Sequence, residues 1–197
     1  MPDRVPKPFL KVLTDLTEWF SDAHLSAMVV GGVAASILGR PRATRDIDAL
    51  VMLSEDAWTA ALSSAHRHGI APRIEEPLEF ARKTRVLLLR HIESGVDIDL
   101  ILGRLPFEEE AIARSRIHNL GGVSVRLPTV EDLLIMKAIA QRPRDLRDIE
   151  GLLDAHPDAN VGAVRQWVRE FSTAMTMPDL LEGFDKLLSG RKPKSGK

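Results

Sequence analysis

Two aspartates stand inside an apolar run at Asp46-Ile47-Asp48-Ala49-Leu50-Val51, and the arrangement recurs at Asp97-Ile98-Asp99-Leu100-Ile101-Leu102. Successive side chains of a strand point to opposite faces, so Asp46 and Asp48 share one face while Ile47 points to the other. The same holds for Asp97 and Asp99. Carboxylates at buried strand positions are costly unless they are paired or bound to a metal. Arg42 and Arg45, just upstream, offer pairing. The other solution is a cation. An oxygen-only ligand set favours magnesium, manganese or calcium, and magnesium completes its shell with substrate phosphates. Two-metal carboxylate sites catalyse in-line displacement at phosphorus.

A phosphate-binding element precedes the first pair. Residues 26–30, SAMVV, read as a short buried strand that ends at Gly31-Gly32, and residues 33–39 as a small-residue helix. Backbone N–H groups at a helix start face an anion, and the second glycine permits close approach of a phosphate. The loop GRPRATR adds Arg40, Arg42 and Arg45, and Thr44 shapes it. Residues 31–51 therefore join a phosphate cradle to an acidic pair.

Apolar residues, GG, the thirteen residues 33–45, then DID and an apolar run resemble the signature of the polymerase-beta-like nucleotidyltransferase superfamily. The form GR-x-R-x-T-x-DID is similar to the branch of AbiEii-type toxins, minimal nucleotidyltransferases, and lincosamide and aminoglycoside nucleotidyltransferases. Lys137 followed by RDLRDIEGLL resembles the K…KDxxDL segment of AbiEii-type proteins. The resemblance spans residues 26–155. It implies transfer of NMP from an NTP to an acceptor, with pyrophosphate leaving. Asp46 and Asp48 would hold Mg2+ or Mn2+, and Asp99 would complete the site beside the acceptor hydroxyl. Asp97 is the rival for that third place, because it shares the strand face. Gly31 and Gly32 would hold the β- and γ-phosphates, with Arg42 or Arg45 reaching phosphate oxygens. Lys137 would contact the triphosphate as a point charge; otherwise it is a solvated helix residue. Asp145 and Asp148 share a helix face, where they orient Lys137 or an arginine, or are surface acids.

The remaining pattern supplies the elements that position these groups. Residues 8–22 carry Phe9, Leu10, Leu13, Leu16, Trp19 and Phe20 at helical spacing. Ser54 caps a helix running to His68 and stopped by Gly69. Residues 76–83 and 106–114 read as further helices. RVLLLRHI and VDIDLIL form one hairpin around Glu93-Ser94-Gly95, and RIHNL and VSVRL form another around Gly121-Gly122. After Pro128 only helical patterns follow, the first capped by Thr129. This gives an α/β (α+β) fold, a mixed β-sheet flanked by helices with a C-terminal helical annex. The divisions expected are a core at 1–127, a helical region at 128–189 and a disordered basic tail at 190–197. Trp19, Trp58 and Trp167 are expected in the core.

Composition narrows the classes. The chain has 197 residues, 44% hydrophobic and 28% charged, which suits a globular core. A net charge of −1 announces no basic field for nucleic acid or anionic membrane. The absence of cysteine excludes disulfides, thiolate metal sites and cysteine nucleophiles. The six histidines show no HExxH spacing, and GxSxG, Walker and GxGxxG motifs are absent. MPDRVPKPFLKVL is no signal peptide and no apolar run reaches membrane-span length. The expectation is a cytoplasmic protein without membrane partners. Its acceptor would be RNA, with a tRNA 3′ end as one form, and it would act as the toxin of a toxin–antitoxin pair with an antitoxin partner. The alternatives are a small-molecule acceptor of the antibiotic type, or a non-catalytic binding module of the same fold.

Overall fold

The two aspartate-bearing runs become neighbouring central strands. In the computed structural model, which describes residues 7–190, β2 (Asp46–Met52) pairs in parallel with β5 (Asp97–Gly103). Three antiparallel strands complete the sheet: β1 (Ser26–Val29) on β2, β4 (Val86–His91) on β5, and β3 (Ile70–Pro72) on β4. The order is β1-β2-β5-β4-β3. A separate hairpin joins β6 (Arg116–Leu120) to β7 (Val123–Leu127).

Alternation sorts the faces. Ile47, Ile98, Leu100, Leu87 and Leu89 are fully buried on one face of the sheet, each contributing about 1.5–3 kcal/mol of apolar burial. The aspartates lie between them on the other face and are half-buried. Helix α1 (Lys7–Asp22) buries Val12, Leu13, Leu16 and Trp19, and the Trp19 indole donates to Ser64 Oγ at 2.8 Å. Helix α2 (Gly31–Leu38) starts at the double glycine. The helix expected over 54–68 is divided: α3 (Trp58–Ala65) is flanked by single 3-10 turns at Glu55–Ala57 and His66–His68. The Ser54 side chain makes no cap bond there, whereas Gly69 ends the segment in the left-handed region at φ +67°. Then come α4 (Pro77–Thr84) and α5 (Pro106–Arg114), the latter begun by Pro106 and by Glu108, whose carboxylate accepts from Leu105 N at 2.8 Å.

The chain divides into two compact units. One runs to Ile37 and continues over Pro41–Thr129; the other comprises Leu38–Arg40 and the chain from Val130. The second unit holds α6 (Val130–Ala140), α7 (Pro143–Ala155), α8 (Val161–Ala174) and α9 (Asp179–Gly190). Its core is Leu133, Leu134, Ile149, Leu152, Val164, Val168, Leu180 and Phe184. Trp167, expected in the core, is half-buried and packs on Phe171 with ring centroids 6.0 Å apart. Gly190 closes α9, and residues 191–197 of the expected tail lie outside the described residues. The sheet, its flanking helices and the helical C-terminal region form the mixed α/β arrangement expected from the sequence.

Candidate active site

Strand register places the four aspartates in two facing rows. Asp46 lies opposite Asp97, and Asp48 opposite Asp99. The Asp48 row extends across the sheet. Leu88 of β4 is opposite Asp99, and the Arg73 N–H, one residue beyond β3, donates to Leu88 O at 3.0 Å. On the far side, Val30 N–H donates to Asp48 O at 2.9 Å and brings the start of α2 beside the Asp48 carboxylate. Glycine is required there. Gly31 sits at φ +62°, and a Cβ on it would stand 1.9 Å from Asp48 Oδ2. A Cβ on Gly32 would stand 2.7 Å from Thr44 Oγ1 and 3.1 Å from Arg42 Nη2. The Gly32 N–H points at Asp48 Oδ2 across 3.4 Å. Thr44 Oγ1 donates to Asp46 Oδ1 at 3.0 Å, which ties the arginine loop to the acidic pair. Arg42 N–H donates to Ser36 Oγ at 3.1 Å, and Arg45 is exposed.

The second acidic pair is held by guanidinium groups. Arg73 Nη1 donates to Asp97 Oδ2 at 2.7 Å and Nη2 to Asp99 Oδ1 at 2.5 Å. Arg90, directly across the strand pair, gives Nε to Asp97 Oδ1 at 2.7 Å. Both Asp97 oxygens are thus engaged, and hydrogen bonds from Arg90, aided by the charges of Arg73 and Arg90, hold its carboxyl below the usual range. Asp99 moves the opposite way. Burial pushes its carboxyl up, Arg73 pulls it down, and the charges of Asp48, Asp46 and Asp97 push it up again, so the net shift is upward. Facing like charges of this kind mark a place where a cation from outside is favoured.

The sequence model of the family described as nucleotidyl transferase AbiEii toxin, type IV toxin–antitoxin system, matches residues 14–192. The chain belongs to this family. As an AbiEii-family nucleotidyltransferase it transfers a nucleoside monophosphate from an NTP to an acceptor, rather than serving as a non-catalytic module of the same fold. No curated protein matches the chain in sequence. Among solved structures, its fold is similar to the antibiotic-resistance factor ANT(2″)-Ia in solution, at 14% identity and a TM-score of 0.59, covering 87% of this chain and 95% of that one. It is also similar to ANT(2″)-Ia in complex with adenylyl-2″-tobramycin, at 17% identity and a TM-score of 0.55, covering 83% and 96%. A third likeness is to the lincomycin-bound lincosamide antibiotic adenylyltransferase LnuA, at 14% identity and a TM-score of 0.51, covering 75% and 96%.

The acidic set of this AbiEii-family chain fits a hard divalent cation in donor chemistry, since every candidate ligand is a carboxylate oxygen. Backbone register also fits, because Asp48 and Asp99 are directly opposed. The side chains themselves are not gathered: among the described residues, no three His, Asp or Glu groups stand together as a metal-holding cluster. Arg73 occupies the space between Asp97 and Asp99 instead. Arg73 is the site residue that the motifs did not announce. Its signal was the tripeptide Ile70–Pro72, too short to read as a strand and containing a proline.

Lys137 lies in the second unit and is 3% exposed. Its ammonium is 2.9 Å from Asp145 Oδ1 and 2.8 Å from Asp148 Oδ2, both buried. Asp145 also takes Arg142 Nε at 2.6 Å and accepts from Arg142 N at the start of α7. Burial works against its charge, yet the hydrogen bonds from Arg142 and Lys137 hold its carboxyl below the usual range.

Proposed function

We propose that this nucleotidyltransferase requires a divalent metal, Mg2+ or Mn2+, and modifies RNA, with a tRNA 3′ end as the acceptor class, as the toxin of a toxin–antitoxin pair. The observation that carries the reading is the family match over residues 14–192, whose description names a toxin. A toxin that works by nucleotidyl transfer needs an acceptor on which growth depends, and the ribose hydroxyls of a tRNA end are such nucleophiles. The proposed partners are the NTP, the RNA and an antitoxin protein, in the cytoplasm. No helix among the described residues is long and apolar enough to cross a membrane.

Asp46, Asp48 and Asp99 would hold the metal ions, which supply charge neutralisation at the α-phosphate and the leaving pyrophosphate. Gly31 and Gly32 would present backbone N–H groups to the β- and γ-phosphates, and Arg42 and Arg45 would neutralise phosphate oxygens. Thr44 fixes the Asp46 carboxylate. Asp99 would lie nearest the acceptor hydroxyl and help to activate it. Asp97 is the anchor for Arg73 and Arg90. Lys137, expected either to contact the triphosphate or to be solvated, is instead buried and paired with Asp145 and Asp148.

The test is incubation with each α-labelled NTP, magnesium and total RNA, with Asp46→Ala as control. The expected result is label on an RNA species for the wild type alone; no label on any RNA overturns the RNA reading. A small-molecule acceptor is the second reading, favoured by the fold likeness to ANT(2″)-Ia and LnuA. A drug-susceptibility panel in an expressing host tests it: raised resistance to one drug class supports it, and an unchanged panel removes it.

A further inference from the structure

Arg73 lies outside every motif that pointed to the site, yet its fork spans the second acidic pair. Its backbone is fixed by the bond to Leu88 at the end of β3, so the guanidinium reaches over the open face of β4 to β5. Asp97 and Asp99 are two apart on one strand face, and the two Nη groups meet one oxygen of each. Arg90 takes the other oxygen of Asp97. Arg73 is thus tied to a carboxylate already engaged by a second arginine and, through its other arm, to the carboxylate facing Asp48.

One feature separates this contact from an ordinary structural ion pair. Arg73 Nε is buried and has no hydrogen-bond partner. A guanidinium settled for good in a low-dielectric place satisfies its donors; this one is held by the charge of the acids while one donor stays unmet.

We propose that Arg73 is the resident counter-cation of the acidic face. It holds Asp97 and Asp99 together before substrate binds and opposes capture of a free divalent ion, so that metal is taken up with the NTP rather than ahead of it. The inference rests on the reading of Asp46, Asp48 and Asp99 as metal ligands. The physical reason is direct. A fixed positive charge within hydrogen-bond distance of Asp99 repels a divalent ion entering between Asp99 and Asp48. A triphosphate brings negative charge that outweighs it, and offers the fork phosphate oxygens of matching geometry.

The experiment measures Mn2+ binding to the full chain by electron paramagnetic resonance, alone and with the α,β-methylene analogue of each NTP in turn. Wild type, Arg73→Gln, Arg73→Lys and Asp48→Asn are compared. Wild type should bind Mn2+ alone weakly, and one of the analogues should tighten it about tenfold or more; Arg73→Gln should bind Mn2+ alone about tenfold tighter than wild type, and Arg73→Lys, which keeps the charge, should stay within about threefold of wild type. Without metal, Arg73→Gln should melt below wild type and regain the difference when Mn2+ is added. Mn2+ affinity for Arg73→Gln equal to or weaker than wild type overturns the proposal. Should that variant fail to fold, the wild type decides: Mn2+ bound as tightly without nucleotide as with it overturns the proposal equally. Asp48→Asn separates the two layers. If it keeps wild-type Mn2+ binding, the metal-ligand reading itself fails; if it loses Mn2+ while Arg73→Gln binds no tighter than wild type, only the role of Arg73 fails.

Discussion

Asp99 of the sheet and Asp145 of the C-terminal helices are both aspartates at least half-buried and touched by basic side chains, yet their carboxyls are displaced in opposite directions. Asp145 is fully buried, and the groups around it are the Lys137 ammonium and the Arg142 guanidinium, so its charged form is favoured. Asp99 is less buried and has Arg73, but three carboxylates of neighbouring positions face it and its charged form is disfavoured. Burial alone does not separate them, since it raises both. The sign is set by the company each acid keeps. A cluster with its cations built in holds a fold together; a cluster with surplus carboxylates is stable only when a cation is supplied from outside.

The contrast breaks most sharply at Asp48. Asp48→Ala should leave the melting temperature near or above that of wild type, because a like charge beside Asp99 is removed. Nucleotidyl transfer should fall by about 10³-fold or more, the scale of losing a principal electrostatic contact in the reaction. Labelled-NTP transfer and thermal melting, measured on the same preparation, check both halves. A large loss of stability with activity retained would put Asp48 in the structural class.

The second cluster should respond in reverse. Lys137→Met strands Asp145 and Asp148 in a buried place with one cation fewer. Removing one partner of a buried ion pair costs about 3–5 kcal/mol, which urea denaturation reads. Whatever activity change follows should be judged on protein shown to be folded at the assay temperature, since the expected primary effect is on stability.

Much of this was legible beforehand, and the reasons differ by residue. The alternation in DIDALVM and VDIDLIL announced both strands and their faces, because a period of two with aspartates between isoleucines has one reading. Pro106 announced the start of α5, and the carboxylate of Glu108 closing that start is visible only in the structure. The close approach expected at the second glycine, Gly32, brings Thr44 and Arg42 near it, whereas it is Gly31 that the Asp48 carboxylate approaches in this structure. Spacing could not rank Asp97 against Asp99, since both lie on one face; their separation comes from Arg90, which is paired across the strands, and from Arg73. Arg73 was illegible for a topological reason. It lies 24 residues before Asp97 in sequence and meets it only because β3 adds to the far edge of the β4–β5 hairpin. The ends of the helix expected over 54–68 were also lost, where the chain tightens into 3-10 turns that leave apolar spacing almost unchanged.

Gly31→Ala gives a smaller effect that tests how closely the two halves of the site are coupled. A positive φ in a non-glycine residue costs about 1–3 kcal/mol, and the added methyl overlaps Asp48 Oδ2, so the carboxylate must move. Displacing a reacting group by roughly an ångström costs about 10²-fold in rate. The expected variant is folded, somewhat less stable, and slower by that factor, with Gly32→Ala disturbing Thr44 and Arg42 instead. Transfer kinetics of the two variants side by side check this; an unimpaired Gly31→Ala would detach the glycine pair from the acidic pair.

The subtlest effect is in pH dependence, and it carries the comparison in its sign. The Asp145 carboxyl is depressed in the fold, so its contribution to stability is present above the unfolded value of about 3.9 and is lost as pH falls through the lower folded value. Wild type should therefore exceed Asp145→Asn in melting temperature at neutral pH, and the gap should close on acidification below about pH 4. The Asp99 carboxyl is raised, so the folded state holds its proton more tightly than the unfolded chain does, and ionising it as pH rises from about 3.9 through the higher folded value weakens the fold. In chelator, Asp99→Asn should therefore match or exceed wild type at neutral pH and lose that advantage in acid. Melting curves of the three proteins from pH 3 to pH 7 read both slopes. Parallel slopes would mean that the two acids differ only in place; opposed slopes would mean that charge balance, and not burial, divides the residues that bind from those that brace.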